Sequence, residues 1–359
     1  MHCVPNHPHR ERAATASRTL VPANNWSEVF NNKDTAIGSG RPGSLMASLL
    51  EVTNLRRTFG SLTAVNGVSF DVHAGEAFGL LGPNGAGKST TMMMLCGQLP
   101  MTSGTVTLDG HNVVDDSYKV RQLLGVIPQD LAIYPDLTAE ENLMFFGSLY
   151  NLSGELLSRR VAETLQQVGL TSRRNDAAGT FSGGMKRRLN FAAAVLHKPR
   201  LLILDEPTVG VDPQSRSHLM DCVRSLQQQG TAIIYASHYI EEVQALCSRV
   251  AIVDHGKILI NDSLSNLMAK VPQEIEIVVA ADTTPQQLGI SADTEISVTD
   301  AGLSIRLSQN ASSENALNHQ LAQLITRLSE QQIRLLNIRT HESSLERLFL
   351  ELTGTRLRD

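Results

Sequence analysis

Ala77-Phe-Gly-Leu-Leu-Gly82-Pro83-Asn84-Gly85-Ala86-Gly87-Lys88-Ser89-Thr90 is the stretch on which the fold turns. Ala77–Leu81 is apolar throughout, which suits a parallel strand covered on both faces. Thr91–Leu95 opens a helical pattern. Between them, Gly82 to Ser89 satisfies GxxxxGK[ST], and it does so in the strand-then-helix setting that the pattern requires. Glycines let the backbone wrap closely enough for its N–H groups to point at phosphate oxygens. The helix N-terminus that follows adds partial positive charge where the anion sits. Lys88 supplies a mobile cation for the outer phosphates, and Ser89 offers a hydroxyl to Mg²⁺. The spacing therefore predicts a site for ATP or GTP.

A second apolar run, Leu201–Leu204, ends in Asp205-Glu206-Pro207. Open α/β sheets place ligands at the C-terminal ends of such strands. Asp205 is suited to hold the metal through its water shell, and Glu206 to orient and polarise an attacking water. Thr231–Tyr235 is a third run of the same kind. From a first strand at Ser48–Leu55 to about Leu267, strands alternate with turns and helical patterns, as in an α/β domain. Pro272 marks a boundary. Beyond it the pattern predicts strand 274–280, a short helix at 284–289, strands 294–299 and 303–308, helix 313–329 and strand 332–339. That order is a small ferredoxin-like βαββαβ module. A final amphipathic helix over 344–352 follows. The expected domains are 1–46, 47–270 and 271–359.

Residues 1–46 are polar, rich in Pro, Gly, Asn and Arg, and without periodicity, which predicts a disordered extension. His2, His7 and His9 read as part of a solvated tail rather than a metal site. Met46 stands just before the first strand, and translation is expected to start there. The formal net charge of -5 over 359 residues leaves no basic footprint for nucleic acid. Cys3, Cys96, Cys222 and Cys247 lie far apart without metal-ligand or CxxC spacing, which fits incidental thiols in a reducing compartment. No apolar run reaches the roughly 18 residues of a membrane span, and the N-terminus lacks the apolar core of a signal peptide.

Phe181-Ser182-Gly183-Gly184-Met185-Lys186-Arg187-Arg188, just before the second carboxylate-bearing strand, resembles the LSGGQ-type signature of ABC ATPases. With the phosphate loop it makes residues 49 to 267 similar to that family's nucleotide-binding domain, a P-loop α/β fold with a helical subdomain. Phe181 stands for the usual Leu and Met185 for Gln. The resemblance implies that Ser182, Gly183 and Gly184 serve ATP bound by an opposite subunit, so that two copies close head to tail over two nucleotides as a homodimer. It implies further roles by position. Gln129 is similar to the glutamine that reaches Mg²⁺ and links the lobes, and Asp212 to the aspartate that crosses the dimer interface. His238 is similar to the switch histidine at the γ-phosphate, and Phe59 to the aromatic that stacks on adenine, with strand packing as the other reading of Phe59.

The helical pattern from Leu137 to Val168 resembles the subdomain that receives coupling helices of membrane permease subunits, with Tyr134 and Pro135 as candidate contacts. The tail Ser343–Gly354 resembles the C-terminal end of ATPase subunits of ABC-2-type exporters; an amphipathic helix packing on its own domain is the plainer reading. The resemblance thus implies an ATP hydrolase driving export, peripheral at the cytoplasmic face of the plasma membrane. A soluble ABC-type ATPase acting on nucleic acid or ribosomes is the alternative. The single phosphate loop, the single signature run and the absence of a heptad run speak against it.

Overall fold

The computed structural model describes residues 48–271, 273–280, 283, 295–299, 302–308, 316–341 and 344–354, all within the unit Met46–Asp359. The expectations for residues 1–46, for His2, His7 and His9, and for a helix at 284–289 lie outside the described residues. So does Cys3.

The chain opens with the long hairpin β1 (Ser48–Phe59) and β2 (Leu62–His73), then β3 (Ala77–Leu81) and α1 (Lys88–Leu95). A short hairpin, β4 (Ser103–Leu108) and β5 (His111–Asn112), leads to α2 (Ser117–Leu123) and β6 (Leu124–Ile127). Three helices follow, α3 (Ala139–Leu149), α4 (Gly154–Gln167) and α5 (Gly183–Val195), before β7 (Leu201–Asp205). Next come α6 (Pro213–Gln228), β8 (Ala232–Ser237), α7 (Ile240–Leu246), β9 (Arg249–Asp254), β10 (Lys257–Ser263) and α8 (Leu264–Lys270). The C-terminal part comprises β11 (Glu274–Val279), β12 (Glu295–Thr299), β13 (Gly302–Ser308), α9 (Ala316–Glu330), β14 (Leu335–His341) and α10 (Leu345–Thr353).

The central sheet has the order β10-β9-β3-β8-β7-β6; only β10 is antiparallel to its neighbour. Its inner strands β3, β7 and β8 are almost wholly buried because each face has its own core, and successive side chains point to opposite faces. Ala77, Leu81, Leu202, Leu204, Ile233 and Tyr235 pack with the helices from α3 to α7. Phe78, Leu80, Leu201, Ile203 and Ile234 face α1 and the antiparallel sheet β2-β1-β4-β5, whose Leu50, Val52, Leu55 and Phe70 complete the second core. Phe70 and Phe78 stack there with centroids 5.0 Å apart.

The helical pattern expected from 137 to 168 is two helices, because Asn151 and Gly154 turn through positive φ of 59° and 58° between them. Asn142 of α3 is fully buried and fastens the segment before the helix. Its Oδ1 accepts from Tyr134 N at 2.8 Å, while Nδ2 donates to the carbonyls of Tyr134, Leu137 and Thr138 at 2.9, 3.2 and 2.9 Å. Asn142→Ala leaves those groups without their partner and is expected to destabilise the protein by about 2–3 kcal/mol. A urea titration of the variant checks this.

His197, just past α5, stacks on Tyr150 with centroids 3.6 Å apart, and its Nε2 lies 3.1 Å from the Leu124 carbonyl. That carbonyl can only accept, so Nε2 carries the proton, and Nδ1 is buried without a partner. Burial, partly offset by the carbonyl, pushes the imidazole down to about 4. In the unfolded chain the same ring takes up its second proton near 6.5. The unfolded state therefore binds more protons between about pH 6.5 and 4, and stability present above that window is lost as pH falls through it, by on the order of 3 kcal/mol. Melting temperatures measured from pH 7 to 4.5 should fall less steeply for His197→Phe than for the wild type.

The third sheet has the order β12-β13-β11-β14, with every pairing antiparallel. Ile275, Ile277, Val279, Ile305 and Leu307 pack on Leu317, Leu324 and Leu328 of α9. The last helix does not join that core. Leu345, Leu348 and Phe349 of α10 enter the central sheet's core beside α7 and α8, while Arg347 pairs back to Glu274 of β11. The chain thus leaves the main body at β11 and returns to it at α10.

Candidate functional site

The loop between β3 and α1 is seated on backbone from two other elements. A side chain at Gly82 would run into the Val253 carbonyl at the end of β9. At Gly87, where φ is 100°, a Cβ would come within 2.5 Å of the Ala64 carbonyl of β2. Ala86 is buried and its carbonyl accepts from Gly256 N at 2.9 Å, while Asn84 and Gly85 form the exposed tip. Helix α1 begins at Lys88 with Gly87 as its cap and no side-chain capping bond. Its first-turn N–H groups are therefore left for another acceptor, the ordinary arrangement of an anion-binding helix end. Thr90 sits half-buried in that turn.

Five of the expected residues meet at the C-terminal edge of the central sheet. Lys88, only 5% exposed, donates from Nζ to the carbonyls of Gly82 (2.7 Å) and Pro83 (3.1 Å) and stands 3.7 Å from Glu206 Oε1. Burial lowers the pKa of its amine, and Glu206 and Asp205 oppose that shift. Glu206 is buried and sits past the end of β7 with φ 47°, a left-handed conformation uncommon for a side-chain-bearing residue. Its backbone N donates to Ala236 O at 3.0 Å, so the turn is pinned to β8. His238 follows β8 and brings Nδ1 within 3.1 Å of Glu206 Oε1.

Asp205 ends β7 beside Ser89; burial raises the pKa of its carboxylate, against the pull of the Ser89 hydroxyl and Lys88. Asp205 Oδ1 is buried with no hydrogen-bond partner. An orphaned carboxylate oxygen next to a serine hydroxyl is a donor set that fits a hard, oxygen-seeking divalent cation such as Mg²⁺. Burial, helped by the same carboxylate, pushes the thiol of Cys96, at the end of α1, up to about 12. Cys96, Cys222 and Cys247 are all buried and free.

The remaining expected residues stand elsewhere. Phe59 ends β1 and is 44% exposed, with the Arg57 guanidinium 4.4 Å from its ring centroid. Gln129 is exposed; its carbonyl accepts from Arg187 Nη1 at 2.5 Å, and Asn190 Oδ1 accepts from Ala132 N at 3.1 Å. Helix α5 therefore holds the segment that carries Gln129. Phe181 is buried and Ser182 caps α5, its hydroxyl accepting from Met185 N at 3.3 Å. Gly183 is exposed, whereas Gly184 lies against Ser215 and Asp212 with no room for a Cβ. Asp212 caps α6 by accepting from Ser215 N at 2.9 Å.

Sequence reasoning missed one group. Glu242 of α7, 3% exposed, accepts from Thr208 Oγ1 (2.7 and 2.9 Å), Tyr235 OH (2.8 Å) and Ser237 Oγ (3.1 Å), and Arg216 Nε lies 3.4 Å away. Its only signal in the chain is a carboxylate pair, Glu241-Glu242, opening a helix.

A family model described as ABC transporter matches residues 65–209. Over 314 residues the chain is 42% identical to the linearmycin resistance ATP-binding protein LnrL of Bacillus subtilis, covering 87% of this chain and 100% of that one. It is 34% identical to the daunorubicin/doxorubicin resistance ATP-binding protein DrrA of Streptomyces peucetius, covering 85% and 92%. It is also 41% identical over 208 residues to the Nod factor export ATP-binding protein I of Burkholderia lata, covering 58% and 68%. Among solved structures, an ATP-binding subunit of an ABC transporter superimposes with a TM-score of 0.58 at 30% identity, covering 61% of this chain and 92% of that one.

Proposed function

This chain belongs to the ABC transporter family, and from that premise we propose how its residues hydrolyse ATP and what the hydrolysis drives. The chain is an ATP-binding, ATP-hydrolysing subunit of an exporter. The observation that carries the assignment of roles is the cluster of Lys88, Asp205, Glu206 and His238 beside the uncapped start of α1. The loop from Gly82 to Thr90 receives the phosphates, and Lys88 neutralises the outer ones. Glu206 orients the attacking water and accepts its proton. His238, hydrogen-bonded to Glu206, contacts the γ-phosphate and holds the carboxylate in place. Ser89, Asp205 and Gln129 hold Mg²⁺, which supplies charge neutralisation on the phosphate oxygens when bound. Catalysis is then positioning and electrostatics.

Phe59 stacks on the base. Removing the ring in Phe59→Ala should weaken ATP binding about five- to tenfold, the scale of a single base–aromatic stack. Fluorescence titration with ATP and GTP would measure it, and the two should suffer alike because stacking is tolerant of base identity.

Ser182, Gly183, Gly184 and Asp212 are presented to the nucleotide of a second copy, closing a homodimer over two nucleotides. The family works through membrane components, and none of the described helices is long and apolar enough to cross a membrane. We place the docking of those components on the exposed Tyr134 and Phe145, which meet edge to face at 5.0 Å beside Pro135. The working location is the cytoplasmic face of the plasma membrane. The resistance and export names of the relatives support an antibiotic-like cargo. We read residues 47–270 as the ATPase domain and the sheet order β12-β13-β11-β14 as a ferredoxin-like accessory module within 271–359. Affinity purification from detergent-solubilised membranes is the test. Recovery of a multi-span protein that stimulates ATP hydrolysis supports the reading, and recovery of ribosomes or nucleic acid in its place overturns it.

A further inference from the structure

Glu242 reaches both halves of the hydrolytic pair without touching either. Thr208, 1% exposed, lies two residues beyond Glu206 and gives its hydroxyl proton to Glu242. Ser237 and Tyr239 flank His238. Ser237 donates to Glu242 and accepts from Tyr239 N at 2.9 Å, so the backbone on both sides of the imidazole hangs from this carboxylate. Tyr235, on β8, gives a third hydroxyl. Burial and the adjacent Glu242 push its phenol well above its ordinary range, so it is a lasting donor.

The network also has an outward arm. Arg216 is one turn into α6, its N–H donating to the carbonyl of Asp212, the residue that caps the helix. Its guanidinium stands over the Tyr239 ring at 5.0 Å, and the Tyr239 ring is in turn 4.2 Å from the His238 ring. Arg216 Nε pairs in charge with Glu242 at 3.4 Å without a well-aligned hydrogen bond. Arg216 and Glu242, with His238, Tyr239 and Glu241, line an open cleft of about 550 Å³. A buried carboxylate that serves three hydroxyls already has its desolvation offset. The half-exposed arginine is therefore not needed to satisfy it. It joins the start of α6 to the chain around His238.

We propose that Glu242 and Arg216 are positioning residues for hydrolysis: Glu242 fixes His238 against Glu206, and Arg216 ties that arrangement to the helix that begins at Asp212. The inference rests on the reading of Glu206 and His238 as the hydrolytic pair. When a second subunit engages Asp212, the shift of α6 is transmitted through Arg216 to the Glu242 anchor, and hydrolysis follows closure.

The full-length chain carries the test, with steady-state ATPase kinetics, affinity for a slowly hydrolysed ATP analogue and melting temperature read together. Arg216→Ala should lower kcat about tenfold, the scale on which partners that orient an active-site group act, with KM and analogue affinity within about twofold. Arg216→Lys should recover most of that loss. Glu242→Gln should lower kcat further at a similar KM; should it fail to fold, the two variants at half-exposed Arg216 still decide. Wild-type kcat in Arg216→Ala overturns the proposal. So does a kcat loss matched by an equal loss of analogue affinity or left unrepaired by lysine. Glu206→Gln run alongside separates the levels, because wild-type turnover there overturns the underlying reading of the site instead.

Discussion

Glu206→Gln should lose ATP turnover by about a thousandfold while still binding nucleotide, within the range for removing a positioned general base. The reasoning begins with the backbone. Glu206 is held at φ 47° and pinned to Ala236, so its side chain has one direction to take, toward Lys88 and His238. Glutamine keeps the volume and can still meet His238, but it cannot accept a proton from water. It also withdraws the negative charge 3.7 Å from Lys88, which leaves the amine freer for the phosphates. Affinity for ATP should therefore hold or rise as hydrolysis stops. A nucleotide bridging two subunits would then persist, and size-exclusion chromatography with ATP should show a stable dimer. Phosphate release at the wild-type rate would remove Glu206 from the mechanism.

Lys88→Met should act on binding itself, lowering ATP affinity by about a hundredfold. The amine is almost fully buried, and its pKa is already lowered by that burial. In the structure it is satisfied by the Gly82 and Pro83 carbonyls and Glu206. Truncating one partner of a buried hydrogen-bonded charge pair costs about 2–5 kcal/mol, and phosphates facing a methionine would be such a pair broken. Methionine has nearly the same length and no charge, so packing changes little. Calorimetry with ATP and ADP should find the larger deficit for ATP, whose outer phosphate the amine serves. Affinity within threefold of wild type would contradict the role.

The central sheet and the phosphate loop are legible in the sequence because burial on both faces leaves uninterrupted apolar runs, and because the loop's spacing is dictated by its ligand. The C-terminal strands are legible for a different reason. They alternate cleanly, and the expected 274–280 and 303–308 lie within a residue of Glu274–Val279 and Gly302–Ser308. The last strand begins three residues later than the expected 332. Gln332 turns through φ 54° and Ile333 N still bonds to Leu328 O, so the helix end consumes those residues. The return of α10 to the main core is not legible, since an amphipathic stripe of Leu345, Leu348 and Phe349 does not say which surface receives it. Glu242 escaped for the converse reason. A carboxylate early in a helix pattern reads as solvated, and only the folded chain brings three hydroxyls from β8 and the turn after β7 around it.

The glycines of the phosphate loop answer to separate demands. At 82 the carbonyl of Val253 leaves no space for a methyl, and at 87 the carbonyl of Ala64 does the same. Gly85 has nothing within 4 Å of where a Cβ would be, and only its φ of 80° speaks for glycine. Handedness is a softer constraint than volume, since asparagine and aspartate enter left-handed backbone at modest cost. The tip can therefore exchange its residue and remain a loop, whereas the two ends are locked by the neighbours they lean on. One repeated letter in the loop hides two kinds of necessity.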